Sequence, residues 1–363
     1  MNKYIIKLDW KFWSLVLLII SILSINIRYI LMSDKFFIDS SMLLYIEQTE
    51  KYTEGSFGRA ARFFKIINFF DLNTLFEWSI YICVIYFFLN LFILKDVKKI
   101  RIEKLLFLIL GVFLWYLFAA GITKEVIQSL FYIMILYICK NRTFFKRTWI
   151  KLFFGAFTLF VCSLTFRAYY ILTAFFSITI FVALKIIKYF KMKRNKAVFS
   201  FFALSLMSVF LFMLIIQLFF PTEFNQVIFL KSIKYQYLVA STDSFINDIM
   251  TNSSANIFIY MVNYCANYIR LLFPVELLMI GKIYYIPFIA YQLMFLGNYI
   301  NFIKNHMFIN EKKMLIFSFI TSFITVGAMM EPDFGSWARH QSVILPLVIE
   351  CFMVDYVGEK NIE

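Results

Sequence analysis

An all-α, polytopic membrane protein with about ten transmembrane helices is the fold class that three features of this sequence predict. Of the 363 residues, 62% are hydrophobic and only 16% charged, against roughly 45–50% and about 25% in soluble domains. Apolar stretches of about 17 to 25 residues, the length a helix needs to cross a hydrocarbon core of roughly 30 Å, recur along most of the chain. Lys and Arg gather in alternate connections between those stretches, as they do where basic loops are retained in the cytoplasm. Ten Gly and five Pro exclude a collagen-like or linker-rich chain, and 48 Phe with 22 Tyr exclude a disordered one.

The first span is expected near residues 10 to 32. A secretory signal would look similar, but this apolar part is too long and no small-x-small cleavage site follows "NIRYILMSDKFF". Residues 33 to 73 form a long segment that does not span. Further spans are expected near 74 to 94, 105 to 121, 125 to 139, 152 to 166, 169 to 187 and 197 to 220. A second long connection covers 221 to 256. Residues 257 to 280 are apolar but broken by Arg270, Pro274 and Glu276, which reads as a helix lying in the interface or re-entering from one side. The last spans are expected near 282 to 303, 314 to 330 and 342 to 357. Residues 1–363 then make a single integral membrane domain, with 33–73 and 221–280 as outer-face segments covering a site, because long non-spanning segments in compact chains usually carry function.

Orientation follows from charge. With the N-terminus inside, segments 1 to 11, 95 to 104, 140 to 151, 185 to 196, 304 to 313 and the C-terminal tail are cytoplasmic and hold about two thirds of the 36 Lys and Arg. Counting Glu350 and Asp355 toward that side leaves the outer face close to neutral. Both termini are expected in the cytoplasm, and the net charge of +14 is a topology signal. Anionic headgroups, not nucleic acid, are the partners these short basic loops call for.

Several chemistries are excluded. No GxxxxGK[ST] phosphate loop is present. The five Cys (Cys83, Cys139, Cys162, Cys265 and Cys351) show no CxxC spacing, and only His306 and His340 could join them. Neither a zinc site nor a disulfide framework is implied, and no cofactor is expected.

The functional signal is the placement of ionisable groups, which are costly near hydrocarbon unless paired or hydrated. Four sets fall at outer helix ends. "KFFIDSSMLLYIEQ" places Asp39 just past the first span, and "GSFGRAARFF" follows with Arg59 and Arg62 on one face of a short interfacial helix. Those arginines either bind a ligand or merely touch headgroups. "AAGITKEVIQSLF" sets Lys124 and Glu125 at a boundary so tight that, as adjacent residues on a helix, they serve different neighbours. A helix N-terminus beside Lys124 favours a bound anion such as phosphate, the alternative being a plain solvated turn. Arg167 joins two apolar helices with almost no loop, flanked by Tyr169 and Tyr170; it either snorkels to the interface or is a fixed bidentate donor for phosphate or carboxylate.

The fourth set is "MMEPDFGSWARHQSVILPLVI", with Glu331, Asp333, Arg339 and His340 inside ten residues. A cation opening a helix runs against its dipole, which calls for an anionic partner, either a protein carboxylate or a bound pyrophosphate. Glu350, near the middle of the last span, reads as a structural pairing inside the bundle. Together the sets suit a site at the outer mouth of a helix bundle, with a hydrophobic wall for a lipid tail and cations for its phosphates.

In layout, over most of its length, the chain resembles the bacterial polysaccharide polymerases of the EpsG and Wzy type. The resemblance is carried by its size, the number of spans, the early outer "FFIDSSMLLYI", the boundary "KE" pair, the boundary arginine and the late "EPDFGSWARH" before a Pro-containing span. The lack of one very long central outer loop sets it nearer the EpsG side. The resemblance implies a bacterial inner-membrane enzyme that joins lipid-linked oligosaccharide repeat units at the outer face, extending a capsule, exopolysaccharide or O-antigen. A chain-length regulator and a flippase are the partners it implies, besides membrane lipids.

Such a transfer from undecaprenyl pyrophosphate to a sugar hydroxyl needs a base for the acceptor proton and cations for the leaving pyrophosphate. Asp39, Glu331, Asp333 and His340 are the expected catalytic candidates. Arg339 and Arg167, supported by Lys124, Arg59 and Arg62, are the expected pyrophosphate ligands. Trp337, Tyr169 and Tyr170 are expected to hold glycan, and no metal is required. A C-type glycosyltransferase using a lipid-phosphate sugar, with Asp39 as base, is the nearest rival. A flippase or transporter of lipid-linked sugars is another.

Overall fold

The computed structural model describes residues 5–32, 34–52, 54–141, 145–228, 244–246, 248–251, 255–306 and 310–354. Of these described residues 81% are helical, and eight helices among them are long and apolar enough to cross a membrane. The protein is therefore a multi-pass, all-helical membrane protein. Packing divides it into two compact units, one of residues 1–147, 153–171 and 339–363, the other of 148–152 and 172–338.

In the first unit, β1 (Ile5–Lys7) leads into α1 (Trp10–Asn26), which Asp9 caps by accepting from Phe12 N at 2.8 Å and which runs on as a π-helical turn to Leu31. Trp13, Leu17, Ile20, Ser24 and Arg28 recur at helical spacing on its buried face, while Leu15, Leu18, Ile22 and Leu23 are exposed. Such an outward apolar face is what hydrocarbon demands of a span. Two short helices follow and pack on each other, α2 (Ile38–Thr49) and the amphipathic α3 (Ser56–Ile67). Helix α4 (Leu75–Leu94) opens on a capping box between Thr74 and Glu77 and packs on α1. Strand β2 (Lys99–Arg101) pairs antiparallel with β1 and leads into α5 (Ile102–Ala119) and α6 (Lys124–Lys140). Helix α7 (Thr148–Thr165) and α8 (Tyr170–Tyr189) follow.

Two expected spans take another form. Helix α6 is helical throughout but has 17 residues and opens on the buried pair Lys124 and Glu125. Of the stretch 342 to 357, the described part beyond Ser342 is helical over only the eight residues Leu345–Phe352. The second unit holds α8 from Leu172 onward, α9 (Arg194–Phe219), α10 (Ile257–Leu272), α11 (Val275–Ile280), α12 (Ile286–Asn301), which lies in the candidate span Ile283–Asn305, and α13 (Glu311–Met330). Helix α14 (Phe334–Ser342) then stops, and α15 (Leu345–Phe352) restarts with Pro346 in its first turn, where the missing N–H costs nothing. Asp355 and the remaining tail lie outside the described residues, as do 229–243 of the expected outer segment 221–280.

In the second unit α13 is buried over 94% of its apolar window and packs on α10. The apolar stretch 257 to 280 breaks at Pro274, with Arg270 and Glu276 ion-paired across the break.

Contacts inside each unit sort by side. At the C-terminal end of α6, Lys140 pairs with Asp96 and, at 3.1 Å, with Glu350, while Lys104 donates to Phe352 O at 3.0 Å and β1 meets β2. In the second unit Glu311 pairs with Lys185 and accepts from Thr148 at 3.1 Å. Each of these contacts joins segments that the charge pattern assigns to one and the same face.

Candidate functional site

The opposite end of the first unit carries the other set of charges, and its geometry begins with a tight turn. Residues 120–123 between α5 and α6 are all buried. Arg28, buried at the end of α1, donates from Nη1 to Ala120 O at 2.9 Å and so satisfies a carbonyl that the end of α5 leaves open. Gly121 is what lets it approach, since a Cβ there would lie 2.9 Å from Arg28 Nη2. The turn thereby delivers Lys124 and Glu125 to the start of α6.

Glu125 is 1% exposed and is the hub of the site. Its Oε1 lies 3.3 Å from Arg167 Nη2, 3.4 Å from Arg339 Nε and 3.4 Å from His340 Nε2. Its place in the first helical turn adds the partial positive charge of unpaired backbone N–H groups. Lys124 turns elsewhere: its Nζ is 3.7 Å from Asp39 Oδ2 and 3.6 Å from the centroid of the Phe57 ring. Adjacent residues on one helix do serve different neighbours.

Arg167, in the connection between α7 and α8, is held on three sides. Nη1 donates to Tyr169 OH at 2.9 Å and meets His340 Nε2 at 2.7 Å, while Nη2 reaches Glu125. One ring nitrogen cannot accept from Arg167 and donate to Glu125 together. With the ring proton on Nδ1 it accepts from Arg167, and with the proton on Nε2 it donates to Glu125. Burial disfavours the Arg167 charge, but Tyr169, Glu125 and Tyr170 more than offset it, so its pKa is raised and it stays cationic. Burial likewise acts on Lys124, with Asp39 opposing, and there the net effect lowers the pKa.

Asp39, in the first turn of α2, accepts from Arg339 Nη1 at 3.4 Å. With side-chain exposures of 34% and 27%, Asp39 and Arg339 form the open side of the cluster. Tyr170 is fully buried, stacks on Tyr169 at 4.9 Å and donates to Gln128 Oε1 at 2.9 Å. Of the two tyrosines, only Tyr169 is partly exposed.

The structure thus brings together Asp39, Lys124, Arg167, Tyr169, Tyr170, Arg339 and His340. Arg59 and Arg62 are exposed on α3, Arg62 over the Tyr52 ring, and it is Phe57 of that helix that touches the cluster. Glu331, Asp333 and Trp337 belong to the second unit. Asp333 caps α14, its two oxygens accepting from Ser336 N and Oγ at 2.8 Å each, and its backbone bridges Phe245. Glu331 is buried at the end of α13. Trp337 is fully buried, donates from Nε1 to Leu271 O at 3.1 Å and stacks on Phe323, so it presents no ring face to a glycan.

Sequence reasoning gave no site role to Glu125, Arg28 or Phe57. For Glu125 the available signal was a carboxylate opening an apolar helix, and for Arg28 a lone cation inside the first apolar run.

Chemically, three cations surround two carboxylates with an imidazole between them. Such a set can hold an anion at its open side, where Asp39 and His340 are the groups able to take a proton. Comparison of the chain with models of protein families, with curated proteins and with solved structures returned no match.

Proposed function

We propose that this protein is a membrane glycosyltransferase that polymerises undecaprenyl-pyrophosphate-linked oligosaccharide repeat units into a surface polysaccharide. The observation that carries this reading is the convergence of Lys124, Arg167 and Arg339 with Asp39, Glu125 and His340 at one end of the helices. On the charge pattern, ten spans put that end at the outer face of a bacterial inner membrane and both termini in the cytoplasm.

In the reaction a hydroxyl oxygen of one lipid-linked unit bonds to the anomeric carbon of the glycan on the other lipid. The bond from that carbon to the pyrophosphate oxygen breaks, and undecaprenyl pyrophosphate leaves. Arg339 and Lys124, freed from Asp39, bind the growing negative charge, and Arg167 holds the cluster's geometry while adding its own. Asp39 or His340 takes the hydroxyl proton. Asp333 is a weaker base candidate because both its oxygens are already engaged in the cap of α14. Capsule, exopolysaccharide and O-antigen units all fit this chemistry, and a chain-length regulator and a flippase would work beside it.

A size-separated glycan profile of a deletion strain tests the reading. Loss of long chains with lipid-linked single units retained on the outer face supports it. A second reading, a carrier of lipid-linked sugars, is favoured by Gln128 and Ser129, buried polar residues that continue from the cluster down α6. Single units trapped on the cytoplasmic face would establish the carrier instead.

A further inference from the structure

We propose that the basic end of α8 carries a binding groove for an anionic phospholipid of the surrounding bilayer. A cavity of about 450 Å³ opens there, walled by Trp149, Val182, Ile186 and Phe190 with Lys188 on its lining. It lies wholly within the second unit, and it is independent of the polymerase reading.

Along α8, Phe175, Ile178, Val182, Ile186 and Tyr189 are exposed at intervals of three and four residues. They form one outward stripe on a helix long and apolar enough to span, and the solvent of such a stripe is acyl chain. The groove is the place where that stripe reaches the lysines. A ligand that satisfies both has a long apolar chain and an anionic head.

The charges on the lining agree. Lys185 is committed to Glu311, which also accepts from Thr148, so Lys188 gives the groove its net positive charge. Beyond it Lys191, Lys193, Arg194 and Lys196 are exposed, with no acidic residue between 185 and 196. Arg194 and Lys196 open α9, where cations run against the helix dipole and an anionic headgroup layer offsets the conflict. Trp149 and Tyr189, both exposed, are the amphipathic rings that favour headgroup depth. A soluble acidic ligand would use the lysines but leave the apolar wall in water.

Trp149 provides the test. The full-length protein is reconstituted in phosphatidylcholine vesicles containing either brominated phosphatidylglycerol or brominated phosphatidylcholine. The Trp149 contribution is isolated as the difference between wild type and Trp149→Phe. One lysine near the surface favours an anionic lipid by about fivefold. The brominated anionic lipid should therefore quench Trp149 at about one fifth of the mole fraction that the zwitterionic one requires. Lys188→Gln should abolish that preference, and Lys188→Arg should retain it. Equal quenching by the two lipids, a preference that survives Lys188→Gln, or no quenching of Trp149 by either lipid would overturn the proposal. A preference erased by inorganic phosphate would also overturn it, by showing a site for a free anion.

Discussion

The Asp39 carboxylate and the Arg339 guanidinium, 300 residues apart in sequence, meet at 3.4 Å on the open side of the charge cluster. Behind them Glu125 is buried among Arg167, Arg339 and His340. The outer pair is loose and partly solvated, whereas the inner hub is dry. In the proposed function Asp39 is the anion that a ligand would displace, and Glu125 the anion that would stay.

Removing the hub charge should be costly. Glu125→Gln leaves two guanidinium groups around a neutral amide, and breaking a buried ion pair by deleting one partner costs about 3 kcal/mol. Scanning fluorimetry of the detergent-solubilised protein should show a clear fall in the melting midpoint. An unchanged midpoint would mean that Glu125 does not organise the site.

The other end of α6 allows a double-mutant test. Glu350 is 1% exposed and pairs with Lys140 at 3.1 Å. Glu350→Leu alone leaves the ammonium with Asp96 as its carboxylate partner, and the expected loss is about 2–3 kcal/mol. Adding Lys140→Met should recover part of that loss, because an apolar pair often replaces a buried ion pair at little cost. Strictly additive losses would contradict the pairing.

Close packing in the second unit predicts a steric effect. A Cβ on Gly327 would lie 2.5 Å from Cζ3 of the buried Trp337 ring. Gly327→Ala should destabilise by about 1–3 kcal/mol, read as lower thermal stability and faster limited proteolysis. Wild-type stability in that variant would mean that α13 and α14 do not approach this closely.

Lys124 gives the site a pH dependence with opposite signs for stability and binding. Burial lowers its pKa in the folded protein. Between that value and the ordinary lysine value the unfolded chain binds more protons, so stability rises with pH across the interval. Anion binding should fall over the same range as the cation is lost. Competition by inorganic pyrophosphate, followed against pH, should weaken at lower pH in wild type than in Lys124→Arg. Identical profiles would remove Lys124 from the anion site.

The grouping of charges into separate clusters was legible in the sequence because like-sided loops share a charge pattern. Asp39, Lys124, Arg167 and Arg339 were all expected at one face, and they do converge. Lys140, Asp96 and Glu350 were assigned to the other, and they do pair. The tight turn before Lys124 and the adjacency of Lys124 and Glu125 also implied that the two diverge.

Other features depend on partners distant in sequence. Nothing local tells that Arg28 satisfies a carbonyl at the end of α5, or that Leu271 O and Gly327 enclose Trp337. The last expected span carried its own signal, Pro346, but the start of α15 only two residues after α14 ends depends on how the chain packs. Hydropathy counts apolar residues and is blind to a helix that stops for two residues and restarts.

In the proposed polymerisation step Arg339 binds the leaving pyrophosphate. The most direct measurement supplies the purified protein, in proteoliposomes, with lipid-linked repeat units and follows glycan length together with released undecaprenyl pyrophosphate. The account predicts that wild type lengthens chains with one lipid pyrophosphate released per bond, and that Arg339→Ala is about 10²–10³-fold slower while remaining folded. Elongation by Arg339→Ala at the wild-type rate would contradict it, as would wild-type protein that moves the units across the membrane without joining them.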